Sequence, residues 1–320
     1  MRSRRCRIRR PAGPDTRAVV PVVPVPLSEE TSDRGYPNHM STLYVTSTPV
    51  GNLEDITLRA IAVLNGVSRI LAEDTRRTSI LLRRYDIETP LISAHEHNEA
   101  ARAGQLVAWL DAGEDVALVS DAGTPLVSDP GARLVRAVID AGHDVVPVPG
   151  ASALLAALVV AGLPAEPFTF HGFPPRSGGA RRELLESLSR LPHTSVLYES
   201  PSRLAALLED LVTACGGERP VVVARELTKL HESVVRGTLT EVLSYYQEGA
   251  VRGEVVVVLG GAPPPPPASA ADAADVAREL LDAGATPRSA AKELAQRLHI
   301  SRNEAYSLVL SLGGGGREKE

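Results

Sequence analysis

The chain has 320 residues, enough for two domains and a small appendage, and its 43% hydrophobic but 3% aromatic content points to an aliphatic core. Two distant cysteines, Cys6 and Cys215, argue against a disulfide framework and for a reducing, cytoplasmic compartment, and no apolar run reaches the ~20 residues that span a bilayer. Net charge is −5, yet residues 1–39 carry eight arginines against four acids, so the remainder holds nine excess acids and any nucleic-acid contact must be a local patch.

Residues 1–39 are rich in Arg, Pro and Val without periodicity, and PVVPVP (21–26) favours extended polyproline conformations. A disordered tail is expected, with Met40 as the natural start directly before the first strand. A basic arm touching RNA and an export signal at Arg4-Arg5 are the competing readings.

From Thr42 onward, short apolar strands alternate with helices of about a dozen residues. LYVTS, SRILA, DVALVS and DVVPVPG are strands; DITLRAIAVLNG, SILLRRY, AARAGQLVAWLDAG and GARLVRAVIDAG are helices. Such alternation predicts an α/β fold with a doubly wound, largely parallel sheet over residues 40–163. GLPAEP (162–167) is the expected hinge. A second α/β lobe over 164–262 contains strands such as SVLYES, PVVVARELTK and GEVVVVLGG, and its charged flanks predict a mixed sheet. Five prolines at 263–267 form a stiff linker. Residues 268–312 predict two or three amphipathic helices whose turn at 298–302 resembles a helix-turn-helix, a unit that serves nucleic-acid contact or plain packing.

Several strands end in loops suited to ligands. LVSDAGTP (118–125) stops an apolar run at small residues, with Asp121 and Thr124 supplying a carboxylate and a hydroxyl. TPVGNLEDIT (48–57) needs Gly51 for a tight turn entered through Pro49, and Glu54 and Asp55 suit a helix N-terminus. AEDTRRT (72–78) reads either as a salt-bridge network or as Arg76 or Arg77 gripping an RNA phosphate while Asp74 orients a hydroxyl. In HEHNE (95–99), His95 and His97 would share one side of a strand. No third ligand stands at a recognisable spacing, so a substrate groove suits them better than a metal, and Asn98 is a natural helix cap. PGASA (149–153) opens a helix with Ser152 near its start. YESPSR (198–203) places Tyr198 and Glu199 at a strand end with Arg203 beyond. RELTK (225–229) carries one of only three lysines in an arginine-rich chain, an amine able to lose its proton where guanidinium cannot.

Taken together, TPVGNLEDIT, AEDTRRT, HEHNE, SDAGTP, PGASA, HGFPPR, YESPSR and RELTK resemble the tetrapyrrole methylase superfamily, and within it the ribosomal RNA cytidine-2′-O-methyltransferase branch. The likeness runs from about Leu43 to Gly261, with the helices near 272–312 similar to a C-terminal extension of that branch; the Arg-rich tail has no counterpart. The resemblance implies two α/β lobes, a homodimer, and S-adenosylmethionine in the cleft between the lobes. It further implies that Pro49, Gly51, Asp121, Ala122, Gly123, Thr124, Ala151, Ser152, Tyr198 and Glu199 line the cofactor site. The implied substrate is a decoding-region cytidine of 16S rRNA in the small ribosomal subunit. For such a substrate, the loop positions of Arg76, Arg77, His95, His97 and Arg203 make them the expected RNA contacts, with no membrane involved.

Methyl transfer from a sulfonium is an in-line displacement that needs no metal; alignment does much of the work. A ribose hydroxyl nevertheless needs a proton acceptor. Lys229, with its pKa lowered in the cleft, or Glu226 is the expected group. Alternatives are another methyltransferase of the superfamily acting on a small molecule or protein, and a non-catalytic nucleic-acid adaptor. A nicotinamide dehydrogenase fits poorly, because no G-x-G-x-x-G follows the first strand.

Overall fold

The computed structural model describes residues 41–247, 249, 251–264, 270–298 and 300–313. The arginine-rich segment 1–39 and Met40 lie outside the described residues, as do residues 265–269, which include the last three prolines of the linker. Two compact units are divided between Gly260 and Gly261.

The first unit holds two sheets. Strands β1 (Thr42–Thr46), β2 (Arg69–Ala72), β3 (Leu91–Ser93), β4 (Val116–Val119) and β5 (Asp144–Val148) form a wholly parallel sheet in the order β3-β2-β4-β1-β5. Its side chains obey the two-residue alternation of a strand. Ile70, Ala72, Ala117 and Val119 face helices α1 (Leu58–Gly66) and α2 (Thr75–Arg84). Leu43, Leu71, Val116 and Leu118 face α3 (Glu99–Asp111) and α4 (Ala132–Asp140). Because both faces are covered, β4 is buried throughout, as parallel sheets require. Truncating a buried leucine such as Leu43 or Leu118 to alanine costs roughly 2–5 kcal/mol.

The second sheet is mixed. It comprises β6 (Phe168–Phe170), β7 (Thr194–Glu199), β8 (Pro220–Arg225), β9 (Ser233–Thr238) and β10 (Val255–Leu259) in the order β6-β7-β10-β8-β9. Only β6 and β7 pair in parallel. One face packs under α6 (Gly178–Arg190), α7 (Leu204–Cys215) and α8 (Leu239–Gln247). The other face, built of Val196, Val222, Ala224, Val256 and Val258, packs under α5 (Ala153–Ala161). The two-lobed architecture expected from the sequence is therefore present.

Three local expectations are corrected. Helix α5 was expected in the first lobe, ahead of a hinge at 162–167, but it buries Ala157, Leu158 and Ala161 against the second sheet. The crossing between lobes thus precedes it. His95 and His97 do not share a strand: β3 ends at Ser93, and Asn98 Oδ1 accepts from the His95 amide at 2.9 Å, closing a turn. Glu54 and Asp55 do not begin an α-helix. They form a short 3-10 turn (Leu53–Asp55) capped by Asn52, and α1 starts later under the Thr57 hydroxyl.

The second unit consists of α9 (Ala270–Asp282), α10 (Pro287–Leu298) and α11 (Arg302–Gly313), joined around Ala277, Leu280, Ala290, Leu294, Ala305 and Val309. Among the described residues no helix is long and apolar enough to cross a membrane.

Candidate active site

The carboxyl ends of β1, β4 and β5 open into three loops that are knitted together. Thr48 and Gly123 exchange backbone hydrogen bonds at 2.8 and 3.0 Å. The Thr48 hydroxyl donates to Ser120 O at 3.1 Å, Ser47 Oγ to Thr124 Oγ1 at 3.2 Å, and Thr124 Oγ1 to Ala151 O at 3.2 Å. Glycine is required at two of these joints. Gly123 has φ +82°, and a Cβ on Gly51 would fall 2.8 Å from the carbonyl of Leu227 and against Lys229. The Gly51 contact joins a first-sheet loop to the loop after β8.

Between the two sheets lies a cavity of about 340 Å³, within the size range of small-molecule sites. Val50, Ala122, Gly123, Thr124 and Ser152 come from the first-sheet side; Ala153 at the start of α5, with Tyr198, Glu199, Ala224, Leu227, Glu254 and Val256, comes from the second. Val127, Ser128, Asp129 and Phe173 add to the wall, which Ser200, Pro201, Gly253 and Val255 complete. Tyr198 is held as a platform. Its hydroxyl accepts from the Leu154 amide at 3.1 Å, and its ring packs edge-on against Phe170 and Phe173. Burial raises its pKa.

Glu199 is 2% exposed. Its Oε1 accepts from Ser200 N at 2.7 Å and from Arg203 at 2.5 Å, while Oε2 has no partner among the described residues. A buried acceptor without a donor is costly. In a cavity wall it marks a place for a ligand's N–H or O–H.

Of the residues expected to hold a cofactor, Ala122, Gly123, Thr124, Ser152, Tyr198 and Glu199 line this cavity. Pro49 and Gly51 flank the lining residue Val50, and Ala151 supplies the carbonyl that orients Thr124. Asp121 stands one residue outside, accepting from the Asp74 amide at 2.9 Å with Arg77 at 3.6 Å. Asp74 caps α2 and pairs with the exposed Arg76 at 2.7 Å, and these hydrogen bonds hold its carboxyl down at about 2. His95 and His97 rings sit 6.0 Å apart. Among the described residues no group of three His, Cys, Asp or Glu side chains is placed for a metal.

RELTK is a clasp. Glu226 Oε1 accepts from the Glu254 amide at 2.9 Å and from Lys229 Nζ at 2.8 Å, and Nζ also donates to Glu254 at 3.0 Å. Burial alone would lower the Lys229 pKa, but its hydrogen bonds to both carboxylates, with their charges, outweigh it and leave it raised. Glu226 is lowered, chiefly by Lys229. The expected lowering of the Lys229 pKa is corrected on this ground: as an ammonium donating separate N–H bonds to two carboxylates, the side chain keeps its proton.

The sequence of residues 42–243 matches the family of tetrapyrrole (corrin/porphyrin) methylases. This chain belongs to that methylase family. Among its relatives is the ribosomal RNA small subunit methyltransferase I of Synechocystis sp., 46% identical over 87% of this chain and 100% of the relative. Proteins of the same name from Bacillus subtilis and Pseudomonas aeruginosa are 46% and 48% identical over 67% of this chain, and over 73% and 77% of their own lengths. Solved structures of the same fold include a uroporphyrin-III C-methyltransferase from Thermus thermophilus in complex with S-adenosylhomocysteine. It is 22% identical, covers 69% of this chain and 97% of its own, and has a TM-score of 0.52. The cobalt precorrin-4 methyltransferase CbiF aligns at the same TM-score with 19% identity, over 70% of this chain and 97% of its own. The family match takes in the first sheet and the second as far as α8, hence all of the cavity wall except its Gly253–Val256 edge.

Val127, Ser128 and Asp129 fall outside every stretch read from the sequence, and Phe173 and Glu254 lie within HGFPPR and GEVVVVLGG without being singled out. Asp129 is the most unusual. Burial first, and then the charge of Glu73, push its carboxyl up to about 6, with Asp121 and Glu254 adding to the rise and a hydrogen bond from Ser120 opposing it. The neighbouring Leu126 and Ser128 have left-handed backbones, φ 72° and 67°, and across the cleft so do Glu226 and Thr228, φ 53° and 65°. Each such residue stores roughly 1–3 kcal/mol, a cost that recurs at ligand sites. The readable signal was a second Asp in the same loop, in the SDPG that follows SDAGTP.

Proposed function

We propose that this methylase uses S-adenosylmethionine to methylate the 2′-hydroxyl of a cytidine ribose in the decoding region of 16S rRNA, acting on the small ribosomal subunit in the cytoplasm as a homodimer. The observation that carries the reading is the 42–48% identity to several proteins named ribosomal RNA small subunit methyltransferase I, joined to a cavity whose walls suit that donor. The apolar side chains Val50, Val127, Leu227 and Val256 fit an adenine ring; the unpaired Glu199 Oε2 fits an amine or hydroxyl; and the acidic surround of Asp129, Glu254 and Asp121 favours a sulfonium cation. Asp121, Ala151, Pro49 and Gly51 shape the site from behind, and bound there the donor supplies an electrophilic methyl carbon.

Arg76 and Arg77, exposed on the first turn of α2, together with His95 and His97 in the next loop, form the edge over which RNA is laid. Arg203, tied to Glu199, acts as a support of the cofactor site and only secondarily as an RNA contact. Helix α5 exposes Leu155 and Val159, apolar surface that suits a second copy of the chain.

Incubation with labelled S-adenosylmethionine and unmodified small subunits, followed by nucleoside mapping, tests the reading. It requires one 2′-O-methylcytidine in 16S rRNA. Label recovered only on a tetrapyrrole would redirect the activity to the chemistry of the fold's structural neighbours, and label on another nucleoside would refute the cytidine assignment.

A further inference from the structure

We infer that the Asp129 carboxylate is the proton acceptor for the hydroxyl that becomes methylated. This deepens, and rests on, the methyltransferase reading above.

Position and partnership select it. The acids around the cleft nearly all have a cationic partner: Asp74 has Arg76, Asp121 has Arg77, Glu199 has Arg203, and Glu226 and Glu254 share Lys229. Among the described residues Asp129 is the carboxyl that lines the cavity with no cation in ion-pair reach. Glu73 is likewise free of one but lies outside the lining. A carboxylate already holding an ammonium or guanidinium is a poor acceptor, because taking a proton would break the pair.

The loop fixes where Asp129 stands. Left-handed Leu126 and Ser128 precede it, and behind it Gly131 at φ 127° opens α4. From α3, the buried Glu99 accepts from the Gly131 and Arg133 amides, each at 3.0 Å, and pins the loop's far end. The carboxyl is therefore presented by rigid elements on both sides.

Electrostatics then set its strength. The groups facing it are Glu73 with Arg77 and His95 nearby, Asp121, the Ser120 hydroxyl, Glu254 bound to Lys229, and the Tyr198 phenol. An acid titrating at about 6 is ionised at neutral pH yet far more basic than an ordinary aspartate. In the transfer, the hydroxyl O–H bond breaks and its proton moves to Asp129 Oδ as the oxygen bonds to the methyl carbon. The methyl–sulfur bond breaks with its electron pair left on sulfur. One positive and one negative charge vanish from the cavity together, and Asp129 returns its proton to solvent.

The test compares the full-length wild type with Asp129→Asn and Asp129→Glu. Single-turnover transfer from S-adenosylmethionine to small ribosomal subunits is followed from pH 5 to 8.5, and S-adenosylhomocysteine affinity is measured by calorimetry. The wild-type rate should climb to a plateau with a midpoint near 6. Asp129→Asn should lose about 10²–10⁴-fold in rate while its S-adenosylhomocysteine affinity stays within about threefold, and Asp129→Glu should recover part of the rate with a displaced midpoint. A variant within about fivefold of wild type, an unchanged pH limb in Asp129→Asn, or a loss of rate matched by a loss of affinity would each overturn the assignment. A wild type that methylates no subunit would instead bring down the underlying function.

Discussion

Lys229 and Glu254, 25 positions apart in sequence, meet at 3.0 Å because β8 and β10 pair antiparallel, bringing Arg225 opposite Val255 and folding the loops beyond them onto each other. The same ammonium reaches Glu226 at 2.8 Å. Lysine thus fastens the loop that Gly51 abuts.

Lys229→Ala should therefore act as a structural change. We expect less than about a tenfold fall in the maximal rate at saturating cofactor, with no shift of the pH profile, and a small loss of stability of about 0.5–1 kcal/mol given its partial exposure. The Glu226 pKa is lowered in the fold, so this contribution is present above the ordinary carboxylate value and is lost as pH falls through the depressed one. Thermal melts of wild type and variant should converge on acidification. A maximal rate reduced a thousandfold would restore the lysine to the chemistry.

Gly51→Ala pushes a methyl group against the Leu227 carbonyl, 2.8 Å away, and against the Lys229 and Thr228 side chains. Backbone cannot yield as a flexible side chain does, so the two loops must separate, at about 1–3 kcal/mol. Calorimetry should read at least tenfold weaker S-adenosylhomocysteine binding, while far-UV circular dichroism stays native.

Arg219 is 4% exposed and donates to the carbonyls of Gly260, Leu188, Ser189 and Leu191, closing the end of α6 onto the end of β10. Arg219→Met keeps the stem but leaves these acceptors unpaired in the interior. About 2–4 kcal/mol of unfolding free energy should disappear in a denaturant titration, with cofactor affinity little changed because the residue is remote from the cavity.

Asp129 carries its own stability signature. A carboxyl whose pKa is raised on folding binds more protons in the native state, so stability falls as pH rises from about 4 through about 6. Asp129→Asn removes that cost and should melt higher than wild type at pH 7.5, by about 1 kcal/mol after allowance for solvent screening. At pH 4 the two should melt alike. A variant less stable at both values would mean that the carboxylate supports the fold.

The loops that end apolar strands were legible because small residues and hydroxyls interrupt β-branched runs, as at Ala122, Gly123, Thr124 and Ser152. What escaped notice depends on contacts distant in sequence. The pairing that brings Glu254 to Lys229 has no local mark, so a lysine among arginines looked like a base. Helix α5 is apolar all round, ALLAALVVA, and offers no polar face to declare which sheet it covers. Leu126 and Ser128 have no sequence flag for a left-handed backbone, so the aspartate they present passed unremarked.

The order of strands in the second sheet has a consequence for synthesis. Strand β10 is the last made of the ten, yet it sits in the middle of its sheet, between β7 and β8. A nascent chain halted anywhere before residue 254 has neither that central strand nor the Glu254 anchor for the clasp. Premature products therefore emerge with a gap where one side of the pocket should be, and only chains translated past Leu259 can close the cavity wall.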